Sequence, residues 1–240
     1  MSIEPLSYKK LLITITLTLF IIPSLSSFIL AHNRDATVDY ASYFYDKVTS
    51  DGTYWVSQWA GKEKVESVAW SYPPGTDLSV IQDYLAVKNP GDWASTDCAH
   101  FVSSAIGSPP SYRGHSGGGL DVPDRADGYG EPGANKLINW AINKVGTEVD
   151  SIDKLKKGDI IGYDLDKDGY IDHTAVYLGD KKAAAHSSSW KGHWYLGYNR
   201  QEFEPTFVHI TKEVGPKIPW RLLMGVGAAV VAIVSWLILQ

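Results

Sequence analysis

The chain has 240 residues, 44% of them hydrophobic and 20% charged, with a formal net charge of −5. That mixture excludes a disordered or collagen-like polymer, and the acidic balance argues against a nucleic-acid partner. Cys98 is the sole cysteine, so no disulfide can form within the chain.

In chain order, the basic pair Lys9-Lys10 precedes an uncharged apolar run over residues 11–31. At helical rise such a run spans a bilayer core of ~30 Å, so it reads as an export signal, cleaved or retained as a first membrane helix. A helix is expected over 35–48, where Ala36, Tyr40, Tyr43, Phe44 and Val48 recur near helical spacing. Residues 50–95 are rich in Trp and Tyr around Pro73-Pro74-Gly75 and read as loops and short elements, with one helical piece over 77–87. Cys98, Phe101, Val102, Ala105 and Ile106 form an apolar helical stripe that Gly107 and Pro109-Pro110 stop. A Gly- and Pro-rich loop over 108–133 leads into a helix over 134–145. The period then becomes that of strands, over 159–163, 173–178, 182–187 and 206–210. Helices first and strands afterwards predict an α+β fold, with the helices packed on an antiparallel sheet. Residues 222–239 are again uncharged, behind Pro216, Pro219 and Arg221. The expected organisation is a signal or N-terminal membrane segment over 1–31, one domain over 32–217 and a C-terminal transmembrane helix over 218–240. A tail removed on lipid anchoring would leave the same signature. The expected location is a membrane, with the domain extracytoplasmic.

Thr96 or Asp97 can cap the helix that begins at Cys98, where unpaired amides and the macrodipole favour a thiolate. An inert buried thiol is the competing reading. A cysteine nucleophile needs an imidazole and a third group that orients it. His173 opens one predicted strand and His186 lies in the next, and a turn at Gly179-Asp180 pairs the two as a hairpin. One ring then serves as base while the other fixes its tautomer; two unrelated histidines at strand ends are the alternative.

Leu155-Lys156-Lys157-Gly158-Asp159, His173-Thr174-Ala175-Val176-Tyr177-Leu178-Gly179 and His186-Ser187 resemble the second half of an NlpC-like or CHAP domain. Asn33-Arg34-Asp35-Ala36, Tyr40-Ala41 and Asp97-Cys98 with Phe101-Val102-Ser103 resemble an amidase-domain branch of that superfamily. These are papain-like cysteine amidases and peptidases, many acting on cell-wall peptides. The resemblance implies a papain-like fold, Cys98 as nucleophile, His173 as general base and His186 as the orienting residue. It also implies a peptide or amide of the cell envelope as substrate. His100 and Ser104 depart from the Asn and Gln more usual in that branch, and His100 reads as a surface or cleft residue. A non-catalytic binding module on the same fold, or an acyltransferase or transpeptidase, is the alternative.

Asp164, Asp166, Asp168, Gly169 and Asp172 match the first nine positions of a calcium loop. The twelfth position is Ala175 instead of Glu, so the expectation is an acidic hairpin turn with no metal or cofactor, calcium being the alternative. His193 with His186 lacks the further ligands a zinc site needs. Trp190, Trp194 and Tyr195 read as core or edge aromatics, with sugar or peptide stacking as the functional alternative.

Overall fold

A computed structural model describes residues 32–60, 63–88, 93–123, 130, 133–186, 194–195 and 204–212. Helix α1 (Arg34–Phe44) is capped by Asn33, whose side chain accepts from the Ala36 amide. It buries Thr37, Tyr40, Ala41 and Phe44, the stripe that helical spacing dictates. Helix α2 (Leu78–Lys88) follows the hairpin of β1 (Thr53–Ala60) and β2 (Glu63–Ser71), and β3 (Trp93–Ser95) precedes α3 (Cys98–Ile106). Helix α4 (Ala134–Lys144) leads into β4 (Gly146–Val149), β5 (Ile160–Asp164), β6 (His173–Gly179), β7 (Lys182–Ala184), β8 (Trp194–Tyr195) and β9 (Glu204–Ile210).

The larger sheet has the order β4-β9-β5-β6-β7-β8, with every pairing antiparallel. Successive side chains of a strand point to opposite faces. Ile160, Val176, Ala184 and Val208 therefore join Tyr40, Phe44, Phe101 and Leu137 in the main core. Their neighbours Ile161, Tyr163, Ala175, Tyr177 and Ala183 form a second cluster with Leu155. Strands β5 and β6 are thus buried on both faces, which is why their sequence runs apolar without alternation. A buried carboxylate ties α1 to this sheet. Asp159 accepts from Arg34 Nη1 at 2.6 Å, His209 Nδ1 at 2.8 Å, and the amides of Ile210 and Lys156. Gly158 beside it has φ +84°, and a Cβ there would meet the Arg34 backbone at 3.1 Å, so glycine satisfies both demands.

The smaller sheet, β2-β1-β3, is also antiparallel. With α2 it encloses its own core of Val48, Tyr54, Val56, Leu78, Ile81 and Leu85. The expectation of loops and short elements over 50–95 is thereby replaced by a three-stranded lobe. Its aromatic residues are spread over both faces of β1, which hides the alternation on which a strand reading depends.

The expectation of a membrane location with an extracytoplasmic domain is corrected. Among the described residues no helix is long and apolar enough to cross a membrane. The longest helices described have 11 residues, against the ~20 a crossing needs. The apolar runs over 11–31 and 222–239, read as flanking membrane helices, lie outside the described residues.

Candidate active site

Cys98 is the first residue of α3, as the apolar stripe and its stop signals predict. The N-cap is Asp97, yet its carboxylate caps nothing in the helix. It turns instead toward buried donors: it accepts from the Trp55 amide at 2.7 Å, faces His100 Nδ1 at 3.0 Å and faces His186 Nδ1 at 2.6 Å. His100 Nε2 reaches Asp51 at 2.9 Å, and His186 Nε2 donates to the Phe44 carbonyl at 2.7 Å. The His186 ring stacks on Phe101, with centroids 4.2 Å apart. Asp97, His100 and His186 are each wholly buried.

The His100 expectation is therefore reversed: it is a core residue, not a surface or cleft one. Burial alone would lower its pKa, but the charge of Asp97 and the hydrogen bond of Asp51 raise it to about 10. Burial pulls the other way on Asp51 and Asp97, where the His100 contacts outweigh it and hold both carboxyls below the usual range.

The Cys98 thiol faces the Asp172 carbonyl, which accepts from it at 3.9 Å, and Thr174 lies near enough to act on the thiol's ionisation. Asp172 and Thr174 flank His173, so the helix start and the start of β6 do meet. The imidazole of His173 is not among the sulfur's hydrogen-bond partners. It stands beside Tyr163, its cross-strand neighbour, with ring centroids 5.9 Å apart. Tyr163 belongs to the cluster on the sheet face away from Cys98. The hairpin of β6 and β7 forms as expected, but both ring nitrogens of His186 are committed elsewhere. His186 orients Asp97, not His173, and the expected orienting contact is absent.

The expectation of a thiolate is also corrected. Burial drives the Cys98 thiol up to about 11, overriding the opposing influence of Thr174, and the Asp97 charge adds to the rise. Burial lowers His173 to about 4. At neutral pH the site holds a thiol and an uncharged imidazole.

In the acidic turn, ligand atoms of Asp164, Asp166 and Asp172 lie within 4.8 Å of one another. Among the described residues these three could hold a cation. Asp164 is buried and accepts from the amides of Lys167, Asp168 and Gly169. Asp168 accepts from the Tyr170 amide and Asp172 from that of Leu165. Burial and then the charges of Asp166, Asp168 and Asp164 raise the Asp172 carboxyl. Trp190 and His193, and the side chains of Trp194 and Tyr195, lie outside the described residues.

Sequence reasoning missed Asp51 and Asp97 as partners of the histidines. The Asp97–His100 pair sits one helical turn apart, and that spacing was the available signal. Asp51 is brought in from a distant loop that no local pattern marks. Comparison with known proteins gives no match: no family model, no curated protein and no solved structure.

Proposed function

We propose that the chain is a cysteine hydrolase of papain-like fold that cleaves an amide or peptide bond, with Cys98 as nucleophile and His173 as base. One observation carries the reading: the sulfur, at the start of α3, lies near Asp172 and Thr174, the two residues that flank His173. The motifs shared with NlpC-like domains support it, and they support a peptide of the cell envelope as the substrate class. In this scheme His173 accepts the thiol proton as sulfur attacks the carbonyl carbon. Amides in the first turn of α3 hold the oxyanion. The imidazolium then gives its proton to the leaving amine, and water releases the acyl group from sulfur. Both partners rest neutral, so the proton moves with the attack, and the start of β6 must first unpair from Tyr163 and turn His173 from that face of the sheet to the one that meets the sulfur.

The burial of both groups favours a second reading, a non-catalytic binding module on the same fold. Covalent trapping at the sulfur, as a thioether with an alkylating peptide or a thioester with a substrate, separates the two. The full chain is incubated with peptidyl chloromethyl ketones and short envelope-type peptides, and the adduct is located by mass spectrometry. The expected result is modification of Cys98 that is lost in Cys98→Ser and slowed at least ~100-fold in His173→Ala. No adduct and no turnover with any peptide would overturn the hydrolase reading and leave the binding module. Products extended by an added amine would assign acyl transfer.

A further inference from the structure

The two imidazoles beside Cys98 face four acceptors. His100 lies between Asp51 Oδ2 and Asp97 Oδ1, and His186 between Asp97 Oδ2 and the Phe44 carbonyl. A neutral imidazole supplies one N–H, so two neutral rings would leave two of these four contacts with no hydrogen, lone pair against lone pair. Water cannot relieve them, because both rings are wholly buried. A carbonyl oxygen cannot donate, so His186 Nε2 carries hydrogen. The remaining three contacts each need one proton, whichever atom of the pair holds it.

We propose that Asp51, His100, Asp97 and His186 form a four-proton, charge-neutral array in which Asp97 is a positioning residue that holds the Cys98 end of α3 in place. Its members come from the end of α1 (Phe44), the loop before β1 (Asp51), the start of α3 (Asp97, His100) and the chain just after β7 (His186). The array stands on hydrogen-bond accounting and not on the hydrolase reading. The other titratable groups near it are Cys98 and the phenols of Tyr54 and Tyr40. Tyr54 bonds to Ser95 at 2.6 Å and Tyr40 to Ser50 at 2.9 Å, and both phenols are held protonated by burial.

Unfolded histidines are mostly neutral at pH 7.5, so folding at that pH takes up about two protons per chain. Between pH 7.5 and 8.5 the folding equilibrium then falls roughly 100-fold per pH unit, tenfold for each proton. Asp51→Asn gives a sharper test. The Asn carbonyl keeps the Thr49 and Thr53 donors that Asp51 Oδ1 now accepts, and its amide donates to His100 Nε2. The array is then satisfied with one proton fewer.

The experiment measures proton uptake on refolding the full chain at pH 7.5, together with imidazole ¹⁵N spectra of the folded protein. We expect about two protons for the wild type, about one for Asp51→Asn, and protonated-type shifts at both nitrogens of His100. Uptake near zero overturns the array; one protonated nitrogen per ring with two protons taken up would place the other protons on the carboxyls of the same array. The positioning role is read from the alkylation rate of Cys98 against pH. Thiol ionisation alone gives a tenfold rise per unit; opening that also releases array protons gives roughly 100-fold or more. A tenfold slope in the wild type overturns that role, and labelling of the sulfur with no peptide turnover leaves the array standing while the hydrolase reading falls.

Discussion

Asp159→Asn tests whether the buried carboxylate holds α1 on the sheet. Asp159 is wholly buried and receives four donors: Arg34, His209 and the amides of Ile210 and Lys156. An Asn of the same shape offers one oxygen. Its amide would face either Lys156 N–H and His209 or Arg34 and Ile210 N–H, donor against donor. His209 can switch tautomer, but a peptide amide cannot, so at least one buried N–H is orphaned at about 1–3 kcal/mol. Arg34 also loses its countercharge. Breaking a buried ion pair costs about 3–5 kcal/mol, and the Arg34 side chain is 17% exposed, which places the expected total near the lower figure, ~3 kcal/mol. Urea denaturation reads this as a midpoint lowered by roughly 1.5 M at an m of about 2 kcal/mol/M. A loss under ~1 kcal/mol with unchanged m would refute the reasoning. It would mean that water or backbone adjustment satisfies the freed donors.

Phe101→Ala removes the ring against which His186 stacks, and a loss of about 3–5 kcal/mol in the same assay is expected for a wholly buried Phe; under ~1.5 kcal/mol would show that the site collapses without cost. His173 should titrate by NMR near pH 4 in the folded protein. Its folded pKa lies below the unfolded value, so its contribution is complete above pH ~6.5 and is lost as pH falls toward 4, by a few kcal/mol. A titration midpoint at 6 or above would remove burial as the cause. Chelation of divalent cations should leave the melting temperature unchanged, because the acidic turn is closed by its own amides. A drop restored by calcium alone would show that Asp164, Asp166 and Asp172 act as ligands.

Where burial is one-sided or the run is continuous, the sequence was readable. The helix at Cys98 is set by its apolar stripe and the Gly-Pro stop, and the strand block after residue 158 by β-branched runs between tight turns. The lobe formed by β1, β2 and β3 was not readable, because Trp55 and Tyr54 are both buried on opposite faces and leave no period-2 pattern. His100 was misjudged because its place off the apolar stripe reads as solvent. Its partners include Asp51, 49 positions away, and pairing at that range leaves no mark in local spacing. The thiolate expectation failed for a related reason: helix position is local, whereas the desolvation that raises the thiol is a property of the packed molecule.

The lobe enters the chain after α1 and leaves it just before α3, yet its core is separate from the one those helices share. Packing α1 against α3 therefore closes a long loop, whose chain entropy is recovered only if the insertion is already compact. The lobe is thereby cast as an early, independently cooperative unit, one that opens and closes on its own as a foldon. In native-state hydrogen exchange the amides of β1 and β3 should open together as a group distinct from those of β5 and β6, and the amide of Trp55, held by Asp97 across the seam, should follow whichever unit lets go first.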